Sequence, residues 1–120
     1  MNIRITVGST KLEAELFDTE LGRKIAGLLP LESRPNRWGD EIYFSISMDH
    51  DLENEVETVE TGDLAYWPPG QGFCIFYGTT PASLDGRPRA ASEVEVFGRV
   101  IGDVTLLRKE SGSDVRIEAV

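Results

Sequence analysis

Apolar residues recur at every second position along most of the chain, which is the period of a β-strand with one buried face. Two such runs, over residues 3–7 and 12–16, flank Gly8-Ser9-Thr10 and predict a β-hairpin. The same alternation predicts strands over residues 42–48, 94–100 and 115–119. Two aromatic-rich runs, 64–67 and 73–77, are joined by a stiff Pro-Pro-Gly turn and are predicted as further strands. Residues 104–107 are compatible with a short turn or strand.

One segment has a helical period instead. Its apolar positions are spaced at i, i+4, i+7 and i+8 and consist of Leu21, Ile25, Leu28 and Leu29. Asp18 or Thr19 is a suitable N-cap, and Pro30 prevents continuation. This segment is the one convincing amphipathic helix that the pattern predicts.

These elements predict a mainly β protein. The 120 residues fit a single domain, 1–120, without an internal linker. Residues 33–39 are predicted to form a polar turn. Residues 79–92 are predicted to form a long loop, and loops of this length often carry functional residues. About eight short strands with one helix are most economically arranged as a closed β-barrel, which leaves no strand edge exposed.

Charge and composition limit the possible partners. The net charge of −9 argues against nucleic acid and against an anionic membrane surface. The N-terminus lacks the features of a signal peptide, and no apolar run is long enough to span a membrane. Cys74 is the single cysteine and lies between two apolar residues, so we expect a buried, reduced thiol. Together these features predict a cytoplasmic protein.

Half of the ten aromatic residues lie between positions 66 and 77. They are Tyr66, Trp67, Phe73, Phe76 and Tyr77. Successive side chains of a strand point to opposite faces, so one member of each adjacent pair must face away from the core. The outward members either pack under the 79–92 loop or the helix, or line a ligand-binding groove.

Several stretches resemble known proteins. Val-Phe-Gly-Arg-Val-Ile-Gly-Asp-Val at 96–104 is similar to the late strand and turn of cyclophilins. More specifically, the chain resembles a family of small, largely uncharacterised bacterial and archaeal proteins with a cyclophilin-like barrel. The resemblance rests on Trp-Gly-Asp-Glu-Ile-Tyr-Phe at 38–44, Gly-Asp-Leu-Ala-Tyr-Trp-Pro-Pro-Gly at 62–70, Thr-Pro-Ala-Ser at 80–83 and Arg-Ala-Ala-Ser at 89–92. It implies a cyclophilin-like closed barrel without an established activity.

True cyclophilins are peptidyl-prolyl isomerases, and the resemblance fails at their catalytic residues. Their Phe-His-Arg stretch corresponds here to Tyr-Phe-Ser-Ile-Ser at 43–47, which has no arginine. No histidine or tryptophan follows Trp67 to form their proline pocket. We therefore predict no catalytic residue. The enzymatic alternative is an isomerase with an altered residue set, in which Arg37 or Arg89 supplies the hydrogen-bond donor.

The favoured hypothesis is a protein that binds a peptide or small molecule in an aromatic groove. Its candidate residues are Trp38, Glu41, Tyr43, Tyr66, Phe76, Tyr77 and Arg89. Arg89 either pairs with a nearby acid or grips a carboxylate of the ligand.

A third hypothesis concerns the acidic segment 49–60. It carries carboxylates at alternate positions, which are Asp49, Asp51, Glu53, Glu55 and Glu57. In an extended conformation they project from one face, either as a solvated edge or as a docking ribbon for a basic partner. With the lone His50 they are also conceivable metal ligands, but the segment lacks the glycine of a calcium loop. We predict no metal and no cofactor, and the oligomeric state is not predicted.

Overall fold

The computed structural model describes residues 1–110 and 112–120. Its strands are β1 (Asn2–Val7), β2 (Thr10–Leu16), β3 (Leu31–Ser33), β4 (Asn36–Arg37), β5 (Glu41–Ser45), β6 (Val56–Thr58), β7 (Asp63–Trp67), β8 (Gly72–Phe76), β9 (Arg89–Ile101) and β10 (Val115–Ala119). One α-helix, α1 (Glu20–Ala26), and two 3₁₀ turns, Pro68–Gly70 and Val104–Lys109, complete the described elements. The prediction of a mainly β protein is confirmed.

The strands form an antiparallel sheet in the order β3-β10-β1-β2-β9-β7-β8-β5-β4, and β6 pairs separately with β9. Its two ends, β3 and β4, are consecutive in the chain and are separated only by Arg34 and Pro35. Within the described residues no backbone ladder joins β3 to β4, so the sheet is not closed and the closed barrel is not confirmed. The two edge strands are short, and short edges offer little template for pairing with another chain.

The helix is confirmed but shorter than its apolar stripe. Thr19 is the N-cap, and its Oγ1 accepts a hydrogen bond from the Gly22 N–H at 3.1 Å. Leu21 and Ile25 are fully buried. The stripe's last two leucines follow the helix end and pack against the same core as partly buried residues.

The sheet buries apolar residues on both faces. The main core includes alternate residues of the central strands, such as Leu64, Tyr66, Phe73 and Ile75. The residues between them belong to a second, smaller core composed of Val59, Ala65, Cys74, Phe76, Ala90 and Val94, with Tyr43, Trp67 and Val96 packed against it. In an antiparallel sheet with one solvated face, that face carries polar residues. Here the second core occupies that face instead.

Several predicted boundaries are wrong. The strand predicted over 42–48 ends at Ser45, and the polar turn predicted over 33–39 contains β4. The strand predicted from residue 94 begins at Arg89, which shortens the predicted loop. In the acidic segment only Val56–Thr58 is a strand, so its carboxylates do not form one extended ribbon.

His50 is buried, in contrast to the solvated edge expected for its segment. Its Nδ1 lies 3.1 Å from Lys24 Nζ and its Nε2 lies 3.0 Å from Glu95 Oε1. A lysine ammonium can only donate, so Nδ1 accepts and Nε2 carries the proton given to Glu95. Glu95 also accepts the N–H of Glu53 at 2.8 Å. The network therefore ties α1 and the acidic segment to β9.

Across residues 1–110 and 112–120 no helix combines the length and apolar character needed to cross a membrane.

Candidate functional site

A cavity of about 230 Å³ opens on the second core. It is lined by Trp38, Glu41, Tyr43, Trp67, Cys74, Ala90, Ala91 and Val94. Four strands and one turn supply these residues: β5, β7, β8 and β9, with Trp38 in the turn after β4. The cavity is mainly apolar and aromatic, with few polar groups, as is usual for small-molecule sites.

Strand register brings the cavity walls together. Tyr43 is paired with Cys74, and Cys74 is paired on its other side with Ala65 of β7. Directly opposed residues share a face of the sheet. Glu41 and Tyr43 are two residues apart on β5 and therefore also share that face. The period-two pattern thus places the carboxyl, the phenol and the thiol on the second-core side.

Trp38 is held by a tight turn between β4 and β5. Its N–H donates to the Glu41 carbonyl at 3.0 Å, and the Asp40 N–H donates to the Thr79 carbonyl at 2.8 Å. Gly39 has a φ of +60° inside this turn, and a Cβ there would lie 2.9 Å from the Thr80 Cα. Both the backbone angle and the space require glycine.

Trp67 is fixed by the Pro-Pro-Gly turn that follows it. A Cβ on Gly70 would lie 2.7 Å from Trp67 Cζ3, so the glycine lets the turn lie against the indole. The indole Nε1–H donates to Ser92 Oγ at 2.7 Å. The rings of Tyr43 and Trp67 have centroids 6.3 Å apart and planes inclined by 72°. They form two non-parallel aromatic walls.

Glu41 is the acidic residue of the cavity and is only 5% exposed. Burial raises its pKa to about 7, and a hydrogen bond with the Cys74 thiol partly offsets that effect. Burial, followed by the charge of Glu41 and the hydrogen bond to it, raises the pKa of Cys74 well above its usual value. In the described part of the chain no basic side chain forms an ion pair with Glu41. Its carboxyl can therefore bind a donor or exchange a proton near neutral pH.

The cavity brings together three of the predicted site residues, Trp38, Glu41 and Tyr43. Phe76 is fully buried in the second core behind the cavity. Arg89 adjoins the lining residue Ala90, but its guanidinium pairs with Glu57. A ligand-binding groove at these residues stays a prediction.

Tyr66 and Tyr77 do not line the cavity, which corrects their assignment to the groove. They are 1% and 2% exposed and belong to the main core on the opposite face. The Tyr66 hydroxyl donates to the Met48 carbonyl at 2.8 Å, and the Tyr77 hydroxyl accepts from Arg37 Nη1 at 2.7 Å. Because these hydroxyls find partners inside, both tyrosines are tolerated in the core. The outward members of the two pairs are Trp67 and Phe76, as alternation requires.

Sequence reasoning missed five lining residues: Trp67, Cys74, Ala90, Ala91 and Val94. Alternation could have found Trp67, given that Tyr66 faces the main core. It could also have found Cys74, whose predicted neighbours Phe73 and Ile75 face that core. The two alanines carried no signal, since they fell in the predicted loop.

Across residues 1–110 and 112–120 there is no group of three or more His, Cys, Asp or Glu side chains that could hold a metal ion.

Comparison with known proteins agrees with this architecture. The family model described as cyclophilin-like matches residues 1–118. The chain belongs to the cyclophilin-like family. The resemblance expected from the sequence is therefore confirmed.

Two solved structures are similar to this cyclophilin-like protein. The hypothetical protein AF2241 from Archaeoglobus fulgidus is 42% identical, with a TM-score of 0.81, and the match covers 100% of this chain and 95% of that one. McbB in complex with tryptophan is 17% identical with a TM-score of 0.72, and the match covers 98% of this chain but 46% of McbB. The McbB likeness concerns the fold alone. No curated protein matches the sequence.

Proposed function

We propose that this cyclophilin-like protein binds a small organic molecule in the cavity on its second core. The observation that carries the proposal is an apolar, aromatic cavity containing one buried carboxyl, Glu41, without a basic partner among the described residues. Burying a carboxyl costs free energy unless something compensates it. A ligand that donates a hydrogen bond to Glu41, or places a positive charge beside it, would supply that compensation.

The size of the cavity favours a small molecule over a peptide. Its volume of about 230 Å³ is below the roughly 300–1,000 Å³ of sites for drug-sized ligands. A peptide would need a longer groove, and Tyr66 and Tyr77, which would have extended it, lie in the main core.

Binding is better supported than isomerase activity. Arg37 donates to the Tyr77 hydroxyl and to the Glu110 carbonyl, and Arg89 pairs with Glu57. The two arginines that an altered isomerase would use therefore already have partners. Docking of a basic partner on the acidic segment has less support, since that segment is not an extended ribbon.

The chain offers a direct probe of this proposal, because both of its tryptophans line the cavity. We expect small aromatic or apolar molecules to shift the two indole N–H signals in heteronuclear NMR spectra. Replacing the exposed lining residue, Ala91→Phe, should obstruct the cavity and suppress these shifts. Ala119→Phe, at an exposed position of β10, is the matched control and should leave them unchanged.

A screen of such molecules that moves neither indole signal would contradict the proposal. So would shifts that persist unchanged in the Ala91→Phe variant.

A further inference from the structure

The composition of the cavity walls points to a particular ligand charge. Three half-buried aromatic residues, Trp38, Tyr43 and Trp67, share the lining with the carboxyl of Glu41. Aromatic faces carry negative electrostatic potential and attract cations, most strongly where water is excluded. The 72° inclination between Tyr43 and Trp67 keeps them from stacking and leaves separate walls for a ligand.

We propose that the ligand is a small organic cation, an alkylated ammonium ion, held between the aromatic walls with its charge beside the Glu41 carboxylate. This inference rests on the proposed function and narrows its ligand class.

The alternatives fit the lining less well. An anion would be repelled by Glu41 and by the aromatic faces. A neutral apolar molecule offers Glu41 neither a charge nor a donor, so the carboxyl would stay protonated or remain ionised without a partner, and its burial would gain nothing from binding. A bare ammonium ion has strongly hydrated N–H donors that need several acceptors. Alkyl groups remove that need, and they match the apolar surface of Ala90 and Val94.

The positions on β5 allow both contacts at once. Glu41 and Tyr43 are two residues apart on the same face, a spacing of about 7 Å along a strand. A cation of a few ångströms radius beside the carboxylate would therefore also touch the phenol ring. The Trp67 indole, anchored to Ser92, has its ring centroid 6.3 Å from that of Tyr43.

The ionisation of Glu41 links this binding to pH. The pKa of the carboxyl is raised to about 7 in the protein without ligand. A bound cation stabilises the ionised form, so binding releases a proton at lower pH. Affinity for the cation should therefore increase as pH rises towards and through 7.

The test compares choline with the neutral alcohol in which carbon replaces the choline nitrogen. The two have nearly the same shape and differ in charge. In calorimetric titrations of the full chain at about pH 8, we expect choline to bind at least about tenfold more tightly. Glu41→Gln should remove this preference. Glu93→Gln, which removes the same charge from an exposed position of β9, should retain it.

A second arm varies pH and the source of the cation. Choline affinity should rise about tenfold between about pH 6 and pH 8 in the wild type, and stay nearly constant in Glu41→Gln. A blocked trimethyllysine amide carries the same cation as a protein side chain. Tighter binding of either compound supports the ammonium chemistry and indicates whether a free molecule or a modified lysine supplies it.

Equal or weaker binding of choline relative to the neutral alcohol would overturn the cation inference. If neutral molecules or other ligands still shift the two indole signals, the proposed function stands without the cation inference. If no molecule shifts those signals, both proposals fail. Retention of the choline preference in Glu41→Gln would also overturn the role of the carboxylate.

Discussion

Glu41 is the residue on which the proposed ligand binding depends. A carboxyl that is 5% exposed, without a basic partner among the described residues, is held mainly in its protonated form at moderately acidic pH. The Cys74 thiol, which forms a hydrogen bond with it, does not neutralise it, since burial and the charge of Glu41 favour the neutral thiol. The free-energy cost of burying the Glu41 carboxyl is therefore not offset by its neighbours. A ligand bound in the cavity can offset it.

The raised pKa of Glu41 makes stability depend on pH in a defined direction. Between the ordinary value of 4.5 and about 7, the folded protein holds a proton that the unfolded chain has released. The free energy of unfolding therefore falls as pH rises through this interval, by up to about 3 kcal/mol from this group. We expect Glu41→Gln to abolish that component, so the variant gains stability relative to wild type from about pH 4.5 to pH 8.

Denaturant unfolding at several pH values measures the difference. Glu93→Gln serves as the control and should parallel the wild type, because its side chain is exposed in the folded state too. Parallel wild-type and Glu41→Gln curves would show that Glu41 has an ordinary pKa.

At the scale of elements, the turn between β4 and β5 positions both Trp38 and Glu41. Gly39 is its key residue, with a φ of +60° and atoms of Thr79 and Thr80 at about 3 Å from any Cβ. Gly39→Ala should lower the free energy of unfolding by about 1–2 kcal/mol for the backbone conformation, and more for the contact. It should also weaken ligand binding, because Trp38 must shift.

Gly86→Ala is the matched control for this turn. A Cβ there would meet no atom within 4 Å. We expect its stability to stay within about 0.5 kcal/mol of wild type. Chemical denaturation of both variants, with the indole signals as a second readout, makes the comparison. Equal stability of Gly39→Ala and Gly86→Ala would contradict the assigned strain.

A second connection between elements runs through His50. Lys24 of α1, His50 and Glu95 of β9 form a continuous chain of hydrogen bonds, and His50 is 8% exposed. Glu95→Ala removes the acceptor for both the imidazole and the Glu53 N–H. We expect a loss of about 1–3 kcal/mol in the free energy of unfolding, since buried donors are left unpaired.

Glu93→Ala is the corresponding control, two residues earlier on β9 and exposed. Thermal and denaturant unfolding should distinguish the two variants clearly. An equal effect of Glu93→Ala and Glu95→Ala would show that the network adds no stability.

At the scale of the whole molecule, alternation predicted most of the strands but not their number or closure. The hairpin, the helix and the strands near 64–67, 73–77 and 115–119 follow from local patterns. The short edge strands β3 and β4 could not be predicted, because strands of three and two residues are too short to show alternation. Whether a sheet closes depends on pairing between its two ends, which no local pattern encodes.

The sequence indicated the lining of the cavity only in part, for a similar reason. Glu41 and Tyr43 share one face of β5 by strand period, and Trp38 comes from the turn before that strand; all three line the cavity. Tyr66 and Tyr77 were wrongly assigned to the groove. Their hydroxyls have partners in the core, the Met48 carbonyl and Arg37, and these partners come from distant segments of the chain. The second core was also hidden, since it appears only when β6 and the start of β9 cover that face of the sheet.

The most direct measurement of the central claim locates a bound molecule by intermolecular nuclear Overhauser effects. With the protein saturated by choline or another bound small molecule, we expect contacts to ring protons of Trp38, Tyr43 and Trp67 and to the methyl groups of Val94. Tyr66 and Tyr77, in the main core, should show none. Contacts to another part of the surface, with none to these rings, would contradict binding in the cavity.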